Sequence, residues 1–220
     1  MYVVITGINS LSKRLVSRLE GKHDVVVIEE NEDKCDRMYS SSGATVINKE
    51  PSTISALEDA GITRADIVIA ARRQDNDNMV VCSLAKKYGV PKVVTRVEED
   101  DYTEAFQIIG ADPVNHNDIL VSEFLSAVEH PYLVKLANVR GDREIVKGAV
   151  SDEDSSMTGK EVEEVYQMKD FPSSFQVSAV IREDDTVVDE EGVELGEDDE
   201  LILIGPEKDK EQLDSFFQNQ

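Results

Sequence analysis

The first residues that could bind a ligand form a turn between a strand and a helix near the amino terminus. Residues 7–12 (Gly-Ile-Asn-Ser-Leu-Ser) follow the spacing of the G-x-G-x-x-G dinucleotide turn. In that turn the first glycine makes the bend, the second admits a pyrophosphate and the third allows close helix packing. Only Gly7 is retained. Asn9 can adopt a positive φ and Ser12 is small, so we expect the turn to form, with a Cβ where a phosphate would approach.

An acidic residue follows the second apolar strand, at the place where such folds bind ribose. Glu29 comes directly after residues 25–28 and lies 22 residues beyond Gly7. The fingerprint expects an acid about 20 residues after the glycines, accepting hydrogen bonds from the ribose hydroxyls. The alternative is that Glu29 and Glu30 cap a helix and face solvent. The position at a strand's carboxyl end favours the ligand interpretation.

Apolar strands alternate with helices from the amino terminus to about residue 130. We predict strands at residues 2–6, 25–28, 45–47, 67–71, 92–97 and 113–115, each followed by a helix. Gly61 and Gly89 are placed to end two of these helices. Strands this apolar, separated by helices, predict a Rossmann-like, doubly wound parallel sheet covered on both faces.

Beyond Pro131 the pattern changes to a small α+β domain. Strands are predicted at residues 133–139, 145–150, 175–182, 186–188 and 201–204, and helices at residues 159–166 and 208–217. We therefore expect two domains, a nucleotide-binding domain at residues 1–131 and a regulatory domain at residues 132–220.

The predicted helix at residues 118–129 has more apolar surface than one sheet face can cover. Its apolar residues are Ile119, Leu120, Val121, Phe124, Leu125 and Val128. A helix that is apolar on two sides buries both, so we expect a homodimer contact there.

The net charge of −23 excludes several classes of partner. Residues 1–140 hold 22 acidic and 16 basic residues, whereas residues 141–220 hold 24 and 7. Such a surface repels nucleic acid and anionic lipid, and an acid excess of this size suits a high-salt, halophilic cytoplasm. The acidic runs at residues 152–154 and 197–200 lack the spacing of a calcium loop, so we expect solvated faces and no metal site.

No apolar run is long enough to cross a bilayer, and the amino terminus lacks the layout of a signal peptide. We expect a cytoplasmic protein without membrane insertion. Cys35 and Cys82 fall in predicted helices outside any C-x-x-C motif, which indicates reduced structural thiols.

Several longer stretches carry a family resemblance more specific than the glycine turn. They are residues 57–62 (LEDAGI), 65–70 (ADIVIA), 75–78 (DNDN), 84–91 (LAKKYGVP), 159–162 (GKEV) and 194–205 (ELGEDDELILIG). With them the chain resembles the Trk/Ktr-type regulatory proteins of potassium uptake, the RCK or KTN family, from Met1 to about Phe217. The resemblance implies a dimerising cytosolic subunit, assembled as a ring on a separate potassium channel or transporter, that senses NAD(H) or an adenine nucleotide (ATP, ADP or AMP).

The resemblance also implies roles for residues at the carboxyl ends of the first five strands. Backbone N–H groups of Ile8, Asn9 and Ser10 would meet phosphate at the helix N-terminus. Glu29 would accept from ribose, and Glu50 and Ser52 would flank the adenine. Arg72, Asp75 and Asn78 would border a phosphate or second nucleoside, and Arg96 would pair with phosphate or form a surface ion pair.

Departures from the family pattern leave the ligand open. Lys49-Glu50 stands where the family has Gly-Asp, and Pro51 follows where a small residue is usual. Arg72 and Arg73 replace small or hydroxyl residues and could either contact phosphate or fill an empty site. The chain is thus a nucleotide-gated regulator or a degenerate subunit that serves assembly or senses a ligand through its second domain. A dehydrogenase is a distant alternative, because His116 is its only candidate catalytic residue.

Overall fold

The computed structural model describes residues 1–150, 156–182, 187–188 and 192–220. The chain divides into two compact units, Met1–Ile119 and Leu120–Gln220. This division falls inside the helix α6 (His116–Glu129), 12 residues before the boundary expected at residue 131. The expected boundary itself stays a prediction. The acidic run at residues 152–154 and Thr186, the first residue of a predicted strand, lie outside the described residues.

The first unit contains a six-stranded sheet in the order β3-β2-β1-β4-β5-β6. Its strands are β1 (Tyr2–Thr6), β2 (Asp24–Glu29), β3 (Thr45–Asn48), β4 (Ile67–Ala70), β5 (Lys92–Val97) and β6 (Asp112–Asn115). All five neighbouring pairs are parallel. The expected doubly wound parallel sheet is therefore confirmed, and its strand order reverses between β1 and β4.

Helices cover both faces of this sheet. They are α1 (Ser10–Leu19), α2 (Glu32–Ser41), α3 (Ile54–Asp59), α4 (Asp75–Lys87) and α5 (Asp101–Ile108). Val3 and Ile5 pack with Val16 of α1 and Met38 of α2. Val4, the residue between them on β1, packs in the other core with residues of α3, α4 and α5. This alternation places two helices on one face and three on the other.

Glycines end two of these helices as the sequence predicts. Gly61 follows α3 with φ 70°, and Gly89 follows α4 with φ 78°. Left-handed backbone at these positions favours glycine, so both predicted helix ends are confirmed.

The second unit packs helices against an antiparallel sheet. In its described residues the strand order is β10-β9-β11-β8-β7. The elements are β7 (Leu133–Val139), β8 (Arg143–Ala149), α7 (Val162–Val165), β9 (Gln176–Ile181), β10 (Val187–Val188), β11 (Glu200–Pro206) and α8 (Lys210–Gln218). A turn at Gly141-Asp142 joins β7 to β8, with φ 81° and 54°.

The helix expected at residues 159–166 is wrong in extent, because α7 spans only Val162–Val165. Gly159 has φ 76°, outside the helical region. Glu161 is an extended N-cap residue, and its backbone N–H donates to the Glu164 carboxylate at 3.0 Å. This capping box fixes the start of the helix at Val162, three residues after Gly159.

Packing in the core of the second unit leaves no room for a side chain at Gly205 on β11. A Cβ added at Gly205 would overlap the buried Phe175 ring, so Gly205→Ala should lower the free energy of unfolding by about 1–3 kcal/mol. Urea denaturation followed by circular dichroism measures the change. Gly196→Ala is the matched control, because its nearest neighbour would be 3.7 Å away, at ordinary contact distance. Equal denaturation midpoints for the two variants would contradict this packing.

Candidate functional site

A crevice lies at the carboxyl ends of β1, β2 and β4, where the strand order reverses. Open α/β sheets bind ligands at this topological switch point. The crevice has a volume of about 550 Å³. Its lining residues are Gly7, Ile8, Asn9, Ser10, Glu29, Glu30, Lys34, Arg72, Arg73 and Gln74. The structure thus brings together six of the predicted site residues: Gly7, Ile8, Asn9, Ser10, Glu29 and Arg72.

The turn after β1 forms with one left-handed residue. Gly7 has φ 87°, and its N–H donates to the Ile28 carbonyl at 2.8 Å. Asn9 is extended, with φ −145°, so the expectation of a positive φ there is not met. The reason is that Asn9 is the N-cap of α1: its Oδ1 accepts from the N–H groups of Leu11 and Ser12 at 2.9 and 3.1 Å. A cap of this kind requires extended backbone.

Backbone donors expected to meet phosphate already have partners within the protein. The Ile8 N–H donates to Glu29 Oε2 at 2.6 Å, and the Asn9 N–H donates to Ser12 Oγ at 2.8 Å. Of the three predicted donors, only the exposed Ser10 N–H is left without an acceptor among the described residues. Asn9 and Ser12, which replace glycines, therefore complete the helix N-terminus internally.

Glu29 joins the ends of β2 and β1. Its side chain is buried, with Oε1 accepting from the Asn31 N–H at 3.1 Å and Lys34 Nζ 3.5 Å away. The solvent-facing alternative for this residue is therefore wrong. A carboxylate offers about four lone-pair positions, and Ile8, Asn31 and Lys34 already donate to them, so a ribose hydroxyl would have to replace the long contacts from Lys34.

Arg72 occupies the middle of the crevice and is held by three carboxylates. Its guanidinium lies 2.5 Å from Glu50 Oε1, 2.9 Å from Glu30 Oε1 and 3.3 Å from Asp77 Oδ2. Its Cγ lies so close to Gly7 that a Cβ there would be 2.8 Å away. This contact gives Gly7 a second reason to be glycine, besides its left-handed φ.

The carboxyls around Arg72 influence each other. A hydrogen bond with Glu50 is the main cause that raises the pKa of Glu30 above its usual value. Burial alone would raise the pKa of Glu50, but hydrogen bonds from Glu30 and Ser52 and the Arg72 charge outweigh it, and the pKa falls to about 2. Ser52 Oγ donates to Glu50 Oε1 at 2.8 Å. Glu50 thus holds Arg72 directly, and Ser52 holds it through Glu50. Neither of these two residues, which were predicted to flank the adenine, lines the crevice.

Asp75 and Asn78 fix loops and do not line the crevice either. Both are buried. The Asp75 carboxylate accepts from the backbone N–H groups of Glu98 and Glu99 at 2.9–3.2 Å. Asn78 accepts from the Arg72 N–H at 3.1 Å and donates to the carbonyls of Arg72 and Arg96 at 2.9 and 3.2 Å. These two residues hold the turn after β4 against the end of β5.

Arg96 pairs with protein groups beside the crevice. It lies 2.5 Å from Glu98 Oε2 and 2.9 Å from His116 Nε2. The other ring nitrogen of His116 is 3.2 Å from the Val97 carbonyl. The ion pair between Arg96 and Glu98 agrees with the surface ion pair given as the alternative for Arg96, although the Arg96 side chain is mostly buried. Both nitrogens of His116 thus have partners within the protein.

Sequence reasoning missed Lys34 and Gln74, which also line the crevice. Lys34 lies on the first turn of α2, five residues after Glu29, and this position next to a buried acid was the available signal. Gln74 directly precedes α4 and gave no signal of its own.

A second cavity of about 390 Å³ lies at the amino-terminal edge of the same sheet, around Tyr2, Asp24 and Thr45. Its only arginine, Arg64, stacks over the Tyr2 ring at 4.1 Å. Parallel sheets bind ligands at the other edge, so this cavity is a weaker candidate.

The buried position of Asn78 gives a stability prediction. Asn78→Ala removes one acceptor and two donors and leaves backbone groups of Arg72 and Arg96 unpaired, which should cost about 1–3 kcal/mol of unfolding free energy. Urea denaturation measures the loss. Gln74→Ala, at an exposed neighbouring position, is the control and should change stability little. An Asn78→Ala protein as stable as the control would overturn the positioning role.

Comparison with solved structures shows the same fold over nearly the whole chain. The GsuK channel bound to NAD has a TM-score of 0.66 at 19% identity, covering 98% of this chain and 39% of that one. The crystal structure of GsuK bound to ADP has a TM-score of 0.54 at 23% identity, covering 60% of this chain and 35% of that one. At these identities the likeness is one of fold.

Sequence comparison identifies relatives in potassium uptake. The chain is 33% identical over 168 residues to a Trk system potassium uptake protein TrkA homolog of Methanothermobacter thermautotrophicus, covering 75% of this chain and 77% of the relative. It is 25% identical over 225 residues to the TrkA homolog of Archaeoglobus fulgidus, covering 99% of this chain and 50% of that relative. The chain thus spans only about half of some relatives it matches.

The expected resemblance to Trk-type proteins is confirmed by these matches. The family model that describes the TrkA-N domain matches residues 3–117, which include all six strands of the first sheet except Tyr2, and every residue of the crevice. The chain belongs to the TrkA-N domain family.

Proposed function

We propose that this chain regulates a membrane potassium transporter or channel and responds to a nucleotide bound in the crevice of the first unit. The single observation that carries the proposal is the crevice itself, which lies at the switch point of a TrkA-N domain and combines Glu29 with three cations. Relatives are named as Trk potassium uptake proteins, and GsuK, which shares the fold, has been seen with NAD and with ADP.

The chemistry of the crevice suits a nucleoside phosphate. Lys34, Arg72 and Arg73 line it together with the free Ser10 N–H, so phosphate oxygens would find charge-assisted donors. Glu29 offers the ribose acceptor on the opposite side of the turn. Arg73 is exposed and forms no ion pair among the described residues, which leaves its charge available to a ligand.

The same geometry supports regulation rather than catalysis. Both ring nitrogens of His116, the candidate catalytic residue, are engaged with Arg96 and the Val97 carbonyl. Ligand binding would then act by population shift, favouring one arrangement of the two units, and a ligand with equal affinity for both would have no effect.

The proposed place of action is the cytoplasmic side of the membrane, beside a separate pore-forming partner. Within the described part of the chain, no helix is long and apolar enough to span a bilayer. The two-sided apolar character of α6 supports a homodimer, and a ring of such dimers is the assembly that we propose on the pore.

A second candidate function has one observation in its favour. The helix N-terminus that would bind phosphate is completed by Asn9, Ser12 and Glu29, and Arg72 fills the space over Gly7. A subunit that has lost its ligand and contributes only assembly surface would have these features. Nucleotide titration separates the two candidates.

Removing the two more exposed crevice cations tests the proposed function. The double variant Lys34→Ala/Arg73→Ala should weaken nucleotide binding at least tenfold, because it deletes two charge-assisted contacts with phosphate. Calorimetric titration with ATP, ADP, AMP, NAD and NADH measures binding. In cells that lack the encoding gene, rubidium uptake should be restored by the wild type and poorly by the variant.

Lys13→Ala/Arg14→Ala is the matched control, since it removes two exposed cations from the surface of α1 and should behave as the wild type. The proposed function would be refuted if loss of the gene left potassium or rubidium uptake unchanged. Nucleotide binding that is equal in both double variants would refute the assignment of the crevice.

The exposed face of α6 gives the prediction for assembly. Phe124, Leu125 and Val128 are 70%, 50% and 79% exposed, and α6 has no buried residue. Phe124→Asp should convert a dimer to a monomer, because a charge at an apolar contact stays desolvated without a partner. Light scattering after size exclusion measures the mass. Ile108→Asp, at a 77% exposed position on α5, should stay dimeric, and a monomeric wild type would contradict the proposed dimer.

A further inference from the structure

We propose that the crevice selects a nucleotide with a single nucleoside and excludes dinucleotides, and that Arg72 and Asn9 are the residues that make this selection. The inference rests on the proposed function and names the ligand class of the same site. It follows from where these two side chains lie relative to the path that a dinucleotide takes.

In a doubly wound sheet, a dinucleotide crosses from one half of the sheet to the other above the turn after β1. In this chain that path is bridged twice. Asn9 Nδ2 donates to the Ala71 carbonyl at 2.5 Å and so ties the turn after β1 to the end of β4. The Arg72 side chain lies directly over Gly7, the glycine of the bend, and Asn9 itself stands at the position where backbone would approach a pyrophosphate.

Arg72 is held in this position by its surroundings. Its side chain is 15% exposed, and Glu30, Glu50 and Asp77 all contact its guanidinium. If Arg72 moved away, three carboxylates would face one another without their shared cation, and an entering pyrophosphate would add further negative charge. Like charges at such distances are strongly unfavourable, so the ligand cannot easily replace the arginine.

Beyond the bridge, most polar groups of the predicted site residues are engaged, and the exception is Arg96 Nε, which is buried without a hydrogen-bond partner among the described residues. Asp75 and Asn78 bind backbone groups of the neighbouring loops, and Arg96 pairs with Glu98 and His116. A second nucleoside placed there would have to break these contacts to gain its own hydrogen bonds. Buried polar groups that lose their partners make such an exchange costly.

The half of the site on the β2 side of the bridge is open and carries groups that are complementary to a nucleotide. The crevice as a whole, which Arg72, Arg73 and Gln74 also line, has a volume of about 550 Å³, and small-molecule sites span about 300–1,000 Å³. Glu29 stands at the ribose position with Lys34 Nζ 3.5 Å away, and Arg73 and the exposed Ser10 N–H line the same crevice. A nucleoside mono-, di- or triphosphate can use all of these groups without crossing Gly7.

The test compares affinities for single and double nucleosides when the bridge is removed. Wild-type protein is titrated calorimetrically with AMP, ADP, ATP, NAD and NADH, and so is Asn9→Ser/Arg72→Ser. Serine at position 9 keeps an oxygen to cap α1 but lacks the amide that reaches Ala71. The wild type should bind its best mononucleotide at least tenfold more tightly than NADH, and the double variant should raise the relative affinity for NADH at least tenfold.

Lys13→Ala/Arg14→Ala is the control, because it removes two exposed cations that do not line the crevice and should leave the ratio unchanged. If the double variant fails to fold, as judged by circular dichroism, the single variants Asn9→Ser and Arg72→Lys are used in its place. Arg72→Lys keeps one charge but cannot bridge the carboxylates with a planar fork.

The outcomes separate this inference from the proposed function. A wild type that binds NADH as tightly as any mononucleotide overturns the inference and leaves nucleotide sensing intact. If the wild type binds no nucleotide, the proposed sensor function is refuted. NADH binding gained by the bridge variants would in that case still support the exclusion of dinucleotides by Arg72 and Asn9. If the bridge variants bind NADH no better than the wild type does, relative to mononucleotides, the exclusion of dinucleotides by Arg72 and Asn9 is refuted.

Discussion

The hydrogen bond from the Ile8 N–H to the buried Glu29 carboxylate is the interaction on which the crevice depends. It joins the turn after β1 to the end of β2, and the same carboxylate accepts from the Asn31 N–H and attracts Lys34. A buried carboxylate requires such donors, because an unpaired charge at this depth would be very costly. One side chain therefore sets the positions of the turn, the start of α2 and a cation at the crevice.

Other polar side chains of the site are likewise hydrogen-bonded to groups within the protein. Asn9 caps α1 and ties the turn to Ala71, while Asn78 and Asp75 hold the loops after β4 and β5. Arg72 takes the central position and neutralises part of an acidic cluster. The result is a crevice whose backbone donors are largely used internally and whose remaining attraction for phosphate comes from side-chain cations.

Much of the fold was predictable because local patterns decide it. Apolar runs such as residues 67–70, bounded by helices that end at Gly61 and Gly89, specify a parallel sheet without knowledge of tertiary contacts. The place of Glu29 was predictable for the same reason, since it follows from the end of β2. Its partners were not, because the bond to Ile8 depends on how two separate turns approach.

Arg72 shows the limit of sequence reasoning for the site. Its position after β4 indicated proximity to phosphate, but three acids from different parts of the chain decide where its guanidinium lies. The same holds for Asp75 and Asn78, whose side chains turn toward backbone of the β5 loop. The short α7 depended on a capping box formed by Glu161 and Glu164, which an apolar pattern does not reveal.

Amide chemical-shift changes in an NMR titration with ADP test the central claim most directly, because they report where a nucleotide binds. A nucleotide held in the crevice predicts saturable shifts at the amides of Ser10, Lys34 and Arg73, with little change at Glu98 and Glu99 beyond the bridge. Saturable shifts confined to the second unit, or none at any amide of the crevice, would contradict nucleotide binding at this site.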